Sequence, residues 1–229
     1  MALGWFLGYT RVSFHHAAES IPLETEDGNK TTLAQVCEST TPPCRLNPFL
    51  FNGHLQTAWT SVQGRDVPII YRRKVFEHED PAYAGTFAVD FVAREPAEAQ
   101  DDSLPPRTTY FTEKEFAALP SDDKKPMLVA LHGLSGGSYE LYLRHVLAPL
   151  IDDGWEACVV NSRGCANSAI TSGVLYNARA TWDVRQTVKW LQKVFPNRTL
   201  FGIGFSLGAN ILTNVCITEP IPTVLQASD

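Results

Sequence analysis

A five-residue pattern near the end of the chain could supply a covalent nucleophile. Residues 204–208 read Gly-Phe-Ser-Leu-Gly, between an apolar run at 199–203 and a helical pattern at 209–217. A serine on a sharp turn from a buried strand into a helix projects its hydroxyl above a sheet, and flanking glycines avoid collisions with the backbone. The pattern and its context therefore predict that Ser206 is an acyl nucleophile.

Acyl transfer also needs donors for the oxyanion that forms at the substrate carbonyl. The backbone N–H of Leu207, at the start of the helix after Ser206, supplies one. Residues 132–138 (His-Gly-Leu-Ser-Gly-Gly-Ser) follow an earlier apolar run, and we assign the second donor to the N–H of Leu134. The alternative for this loop is a plain turn from a strand into a helix.

The acid and base that would activate Ser206 have no clear candidates. Where a serine occupies this kind of turn, the catalytic acid and histidine follow it along the chain. No histidine follows Ser206, and the only acids after it are Glu219 and Asp229, in a tail too short to return to the sheet edge. His132 comes too early and is predicted to hold the oxyanion loop. A non-catalytic fragment or binding module is therefore the alternative function.

From Lys125 onward, strands and helices alternate, which predicts a parallel sheet covered on both faces. The apolar runs at 127–131, 155–160 and 199–203 predict buried strands. Amphipathic spacing predicts a helix after the first strand, with a kink or an early end near Leu147 caused by Pro149. A second helix begins near Thr181. Its apolar face consists of Val184, Val188, Leu191 and Phe195.

The preceding part of the chain is less regular. Residues 1–66 contain several prolines and no clean periodicity, so we interpret them as an irregular N-terminal extension to a partial domain at 67–229. Residues 69–76 and 86–92 predict an antiparallel pair of strands. Residues 94–126 carry eight acidic and five basic side chains and predict a solvated insertion, with a short edge strand at 108–111 as an added option.

Composition excludes several functions. A formal charge of −6 argues against nucleic acid as a partner, and five cysteines without a C-x-x-C pair argue against a disulfide framework or a zinc site and for a reducing, cytoplasmic location. The apolar start is too short to span a membrane. Trp5, Phe6 and Tyr9 suit contact with a membrane or lipid-droplet surface, and a strand or loop packed on the domain is the alternative.

Four ordered segments resemble one subgroup of the α/β-hydrolase superfamily. They lie at residues 47–57, 132–138, 161–168 and 204–210, and the likeness extends from Leu46 to Val215. The subgroup contains the fungal medium-chain fatty acid ethyl ester synthases/esterases and their short-chain carboxylesterase and phospholipase relatives. Four motifs in order are far more specific than the serine pattern alone.

The resemblance implies an α/β-hydrolase fold and a serine esterase or acyltransferase without metal or organic cofactor. Ser206 would take the acyl group of a fatty acyl ester or thioester, Leu134 and Leu207 would bind the oxyanion, and water or a small alcohol such as ethanol would be the acceptor. The family's later acid and histidine have no counterparts here. Residues 216–229 stop resembling the family, so we expect a C-terminally truncated product that lacks the last strands and is inactive by itself.

Overall fold

The computed structural model describes residues 9–10, 12–45, 47–62, 67–95 and 100–218. Backbone contacts divide the chain into two compact units, Met1–Arg65 and Asp66–Asp229. Trp5 and Phe6, expected at a lipid surface, lie outside the described residues. None of the described helices is long and apolar enough to cross a membrane.

The first unit contains more regular structure than the sequence predicts. Two antiparallel pairs join β1 (Tyr9–Thr10) to β4 (Cys44–Arg45) and β2 (Pro22–Glu24) to β3 (Lys30–Thr32), and the helices are α1 (Leu33–Thr40) and α2 (Gly53–Val62). The segment interpreted from its sequence as irregular therefore contains short strands and two helices. Thr32 and Gln35 form a reciprocal capping box that begins α1, and the prolines lie outside both helices.

The second unit is built on a six-stranded sheet with the order β10-β8-β9-β6-β5-β7. Strands β10, β8 and β9 are parallel, β6 is antiparallel to both β9 and β5, and β7 runs parallel to β5. The strands are β5 (Ile70–Glu77), β6 (Thr86–Ala93), β7 (Thr108–Tyr110), β8 (Met127–Leu131), β9 (Glu156–Asn161) and β10 (Leu200–Gly204). The helices are α3 (Glu113–Ala117), α4 (Leu141–Asp152), α5 (Trp182–Val194) and α6 (Leu207–Thr218).

Two apolar clusters cover the two faces of this sheet. Alternate residues of β8 point to opposite faces, so Val129 joins one cluster and Leu128 the other. The α5 residues Val188 and Leu191 pack in the first cluster, and α4 packs Leu143 in the second. The predicted α/β architecture, with helices on both faces of a mostly parallel sheet, is confirmed.

Two details of the predicted elements are wrong. Strand β10 is not buried, and its Phe201 is 45% exposed. The reason is that β10 is an edge strand, which among the described residues pairs with β8 alone. Helix α4 continues through Pro149 to Asp152, so of the predicted kink or early end near Leu147 the early end is wrong. Pro149 lies exposed in the last turn of α4, where the N–H that it lacks costs the helix only one backbone hydrogen bond near its end. On the opposite face of the helix, Leu147 is packed in the core.

The segment at 100–126 is more than a solvated insertion. It provides the short edge strand β7 that the sequence suggested, which pairs with β5, and Leu104 and Thr108 are buried. Asp123 accepts hydrogen bonds from Nε and Nη2 of Arg198, at 2.8 and 2.7 Å. Because the segment at 100–126 has many charged residues, the few apolar positions that pack on the sheet were hard to recognise in the sequence.

Candidate active site

Ser206 lies where β10 turns into α6. Its φ is +50°, a left-handed conformation that a side chain with a Cβ rarely adopts. The turn is closed by hydrogen bonds from the Gly208 amide to the Phe205 carbonyl at 2.8 Å and from the Ala209 amide to the Ser206 carbonyl at 3.1 Å. The serine is exposed. This is the strained strand-to-helix turn that the sequence pattern predicts.

The two glycines of the pattern are required by space. A Cβ at Gly204 would lie 2.5 Å from the Gly208 carbonyl oxygen, and a Cβ at Gly208 would lie 2.6 Å from the His132 carbonyl oxygen. Both contacts are with backbone, which cannot swing away as a flexible side chain can. The second contact also shows that α6 begins directly against the end of β8.

The loop at 132–138 runs beside Ser206. A Cβ built on Gly133 would lie 3.6 Å from the Ser206 Cβ, so the two backbones pass close to one another. The Gly136 amide donates to the Gly133 carbonyl at 3.1 Å, and Ser135 has a φ of +57°. The loop is also linked to α4, because the Gly133 amide donates to the hydroxyl of Tyr142 at 2.9 Å.

His132 fixes the start of this loop and is unsuited to act as a base. The Ser162 amide donates to Nε2 at 3.0 Å, which puts the proton of the neutral ring on Nδ1, and Nδ1 lies 2.6 Å from the Gly133 carbonyl oxygen. Burial lowers the pKa of His132, so the neutral ring is favoured. Both ring nitrogens are occupied, in agreement with the structural role predicted for it.

Leu134 and Leu207 lie at one cavity next to Ser206. The cavity has a volume of about 710 Å³, and its wall also includes Tyr139, Ile170 and Leu175. Within residues 100–218, the amides of Leu134 and Leu207 donate to no protein acceptor. Two unpaired donors beside an exposed serine are what an oxyanion site requires. The Ser206 hydroxyl likewise makes no hydrogen bond within the described part of the chain.

A buried ion pair beneath this cavity was missed by the sequence interpretation. Arg73 and Asp90 are paired across β5 and β6, and Nε of Arg73 lies 2.6 Å from Oδ1 of Asp90. Their side chains are 1% and 0% exposed. The signal that could have revealed the pair is Asp90, the one charged residue of the apolar strand β6, because such a charge is buried only when it is satisfied.

This ion pair holds two loops that meet at the cavity. Asp90 Oδ2 accepts from the Ser138 hydroxyl at 2.6 Å and from the Asn161 side-chain amide at 2.7 Å. Arg73 Nη1 donates to the carbonyl of Ala166 at 2.7 Å. Ser138 ends the loop at 132–138, and Ala166 lies in the loop at 162–168, where it has a φ of +51°. The pair therefore fixes both walls from below.

Arg163 fixes the outer side of the second loop. Its guanidinium makes a bidentate pair with Asp183 on α5, at 2.9 and 2.7 Å, and donates to the carbonyl of Tyr83 at 2.7 Å. Arg163 is buried and saturated by these contacts. Arg163 and Asn161 thus hold their loop by hydrogen bonding.

Two buried thiols near the site are unlike reactive cysteines. Burial raises the pKa of Cys165, which lines the cavity, and raises that of Cys158 in the middle of β9 far above its usual range. A high pKa keeps a thiol protonated and poorly nucleophilic. Ser206 is therefore the better candidate nucleophile at this cavity.

A family model described as alpha/beta hydrolase fold matches residues 126–224, which include both the loop at 132–138 and the Ser206 turn. This segment therefore has the α/β-hydrolase fold. The match agrees with the strand order and with the serine turn described above. We refer to the second unit as the hydrolase domain, after this fold.

Two yeast proteins are similar to most of this chain. A monoacylglycerol lipase of Saccharomyces cerevisiae is 38% identical over 201 residues, which are 80% of this chain and 44% of that protein. Medium-chain fatty acid ethyl ester synthase/esterase 2 of the same yeast is 30% identical over 209 residues, which cover 80% of this chain and 46% of that protein. The chain spans less than half the length of these relatives. The solved structure of an esterase of Pyrococcus furiosus is similar to 64% of this chain and 46% of its own chain, with a TM-score of 0.42 and 18% sequence identity.

Proposed function

We propose that the hydrolase domain carries the nucleophile and the oxyanion site of a serine ester hydrolase or acyltransferase. The observation that carries the proposal is the geometry of Ser206. It has a φ of +50° and stands exposed beside a loop whose Leu134 amide is unpaired. Together with the Leu207 amide, this provides a nucleophile and two donors at one cavity.

In the proposed reaction, the Ser206 oxygen attacks the carbonyl carbon of an acyl ester or thioester and gives its proton to a base. The carbonyl oxygen takes the negative charge while the Leu134 and Leu207 amides donate to it. The tetrahedral intermediate then expels the alcohol or thiol and leaves an acyl-serine. Water or a small alcohol attacks that ester next and regenerates Ser206, which gives a fatty acid or a new ester.

We propose medium- or short-chain fatty acyl groups as substrates. The cavity beside the two amides lies within the size range of small-molecule sites, and Ile170 and Leu175 present apolar surface to it. The relatives named as a monoacylglycerol lipase and as a medium-chain ethyl ester synthase/esterase support an acyl ester with a modest alcohol portion. Hydrolysis and alcohol acyl transfer differ only in the second nucleophile.

The 229-residue chain by itself is proposed to be inactive or very slow, which keeps a non-catalytic role as the second candidate. No histidine follows Ser206 in the sequence, and the two ring nitrogens of His132 are engaged with the Gly133 carbonyl and the Ser162 amide. A serine without a base is a weak nucleophile at neutral pH. The proposed defect is therefore in proton removal, while the turn and the oxyanion donors are intact.

Supplying a base in solution separates these two candidates. With p-nitrophenyl octanoate at pH 7, we expect little turnover above that of Ser206→Ala, and we expect imidazole to raise the Ser206-dependent rate about a hundredfold. Ser206→Ala with imidazole measures the uncatalysed background, and Ser103→Ala is the control for an exposed serine elsewhere. Added ethanol should divert part of the product to ethyl octanoate if the acyl group can be transferred. A rate equal to that of Ser206→Ala under all conditions would refute the enzymatic proposal.

A further inference from the structure

The cavity next to Ser206 has an exposed apolar surface that oxyanion binding does not explain. Leu134, Ile170 and Leu175 line the cavity, and their exposed fractions are 70%, 61% and 52%. Single exposed apolar side chains are ordinary on a protein surface, but a group of them at one cavity marks a binding surface. Oxyanion binding uses only the backbone amide of Leu134, so it gives the side chains of Ile170 and Leu175 no role.

The wall of the cavity, as far as the structure describes it, presents no unpaired charge to this surface. Arg163 is the one charged residue among those that line the cavity, and its guanidinium is held in the bidentate pair with Asp183. The side chains of Asn167 and Asn177 on the same wall are polar but uncharged. An apolar, uncharged part of a ligand therefore suits the surface better than an ionic part.

The side chain of Ile170 lies against the backbone of Gly164. A Cβ at Gly164 would lie 2.9 Å from both Cγ1 and Cδ1 of Ile170, so the isoleucine occupies the space that a side chain would take. Gly164 also has a φ of +77°, which favours glycine. The Oγ of Ser168 closes the loop at 162–168, because it accepts from the Gly164 amide at 3.1 Å and donates to the Cys165 carbonyl at 2.7 Å. The position of Ile170 is thus set by the loop beneath it.

The segment at 169–178, which presents the two apolar side chains, is anchored although none of its residues is in a helix or strand. The Oγ1 of Thr171 accepts a hydrogen bond from the Thr86 amide at 2.8 Å, at the start of β6. The Val174 carbonyl accepts from Nη1 of Arg163 at 3.3 Å. A surface on an anchored backbone needs little ordering when a ligand binds, which favours binding.

We propose that Ile170 and Leu175 bind the acyl chain of the substrate and thereby favour medium-chain esters over acetyl esters. The proposal rests on the proposed function, in which Ser206 receives an acyl group whose carbonyl oxygen binds to the amides of Leu134 and Leu207. The two amide donors line the same cavity as the two apolar side chains, so a chain that leads away from the carbonyl carbon reaches them within it. The acyl chain is the apolar part of a fatty acyl ester, and it stays bound as the acyl-serine after the alcohol has left.

Two p-nitrophenyl esters test the effect of chain length. The octanoate and the acetate have the same leaving group, so the ratio of their kcat/KM values with imidazole, after subtraction of the Ser206→Ala rates, reports on the acyl chain. Because each methylene that leaves water strengthens binding roughly fourfold, we expect the ratio to favour the octanoate about tenfold or more in the wild type. Ile170→Asn/Leu175→Asn should lower the ratio about tenfold, because it replaces apolar surface by polar amides.

Ile21→Asn/Leu33→Asn is the matched control. It makes the same two changes at residues that are 57% and 43% exposed in the first unit, and neither residue lines the cavity. The ratio of octanoate to acetate should stay at the wild-type value. Thermal unfolding of both double variants checks that the fold is retained. An equal loss of the ratio in the two double variants would refute the proposal.

A binding measurement on Ser206→Ala tests the chain site without the nucleophile. Octanamide carries the acyl chain and a carbonyl group, and acetamide is its short control. In a ¹H–¹³C spectrum of protein labelled at the isoleucine δ1 methyl groups, the Ile170 signal is the one lost in Ile170→Val. We expect that signal to shift and saturate with octanamide but not with acetamide, while the Ile21 signal, assigned in the same way, does not move.

The two measurements separate failure of the chain site from failure of the nucleophile. A shifted Ile170 signal without any Ser206-dependent hydrolysis would support the chain site and refute Ser206 as the nucleophile. Ser206-dependent hydrolysis would refute the chain site alone if the Ile170 signal does not move, or if Ile170→Asn/Leu175→Asn leaves the ratio unchanged. Absence of both the shift and the hydrolysis would refute both.

Discussion

Ser206 and His132 show how single residues set the chemistry of the candidate site. Ser206 holds a left-handed φ that normally costs about 1–3 kcal/mol, and it is held there because Gly204 and Gly208 let β10 and α6 approach each other. His132 makes two hydrogen bonds, from Nδ1 to the Gly133 carbonyl in the oxyanion loop and to Nε2 from the Ser162 amide in the neighbouring loop. A residue that resembles a catalytic base in sequence is thus a structural support.

The neutral state of His132 predicts a pH dependence of stability. Because burial lowers its folded pKa, its contribution is complete above about pH 6.5, the unfolded value, and is lost as the pH falls below it. Urea unfolding should show a steeper loss of free energy between pH 7 and pH 5 for the wild type than for His132→Asn. At pH 7 we expect His132→Asn to be less stable by about 1–3 kcal/mol.

His145→Asn is the matched control, since His145 is exposed on α4. Its unfolding free energy should follow the wild type across the same pH range. Parallel curves for the wild type and His132→Asn would show that the protonation of His132 is not coupled to folding.

At the scale of elements, the central sheet positions two loops through one buried ion pair. Arg73 on β5 and Asp90 on β6 reach Ala166 in one loop and Ser138 in the other. The loops meet where a Cβ at Gly137 would lie 2.7 Å from the Ala166 side chain. The walls of the cavity are therefore set by the strands beneath them and not by the loops alone.

The contribution of the buried ion pair to stability can be measured by making the same Arg→Gln substitution in it and in an exposed ion pair. Arg73→Gln leaves Asp90 charged and unpaired in the core and should lower the free energy of unfolding by about 3–5 kcal/mol. Arg94→Gln removes a pair to Glu156 in which Arg94 is 52% exposed, and it should change stability by about 1 kcal/mol or less. Urea unfolding at pH 7 provides both values.

Should Arg73→Gln be too unstable to purify, Arg73→Gln/Asp90→Asn is the second variant. Removing both charges should recover part of the loss, because the unpaired carboxylate is then absent. Equal effects of Arg73→Gln and Arg94→Gln would contradict the role given to the buried pair.

Much of the hydrolase domain could be predicted from its sequence. Apolar runs predicted β8 and β9, the spacing of apolar residues predicted α5, and the glycine–serine pattern predicted the turn at Ser206. Long-range contacts were beyond prediction. Nothing local to Arg73 shows that its partner lies 17 residues away or that its guanidinium reaches residue 166. The exposure of β10 and the course of α4 past Pro149 also depend on packing, which periodicity does not report.

At the scale of the molecule, the turn that we propose carries the nucleophile is followed by a sequence that contains no histidine. The most direct test of the central claim is the site of a fluorophosphonate adduct, found by peptide mass spectrometry with and without imidazole. We predict a single adduct on Ser206 that forms slowly alone and about a hundredfold faster with imidazole, and none in Ser206→Ala. An adduct on another residue, or an unmodified Ser206 in the presence of imidazole, would contradict the account. Rapid labelling without imidazole would show that a histidine of this chain reaches Ser206 after all.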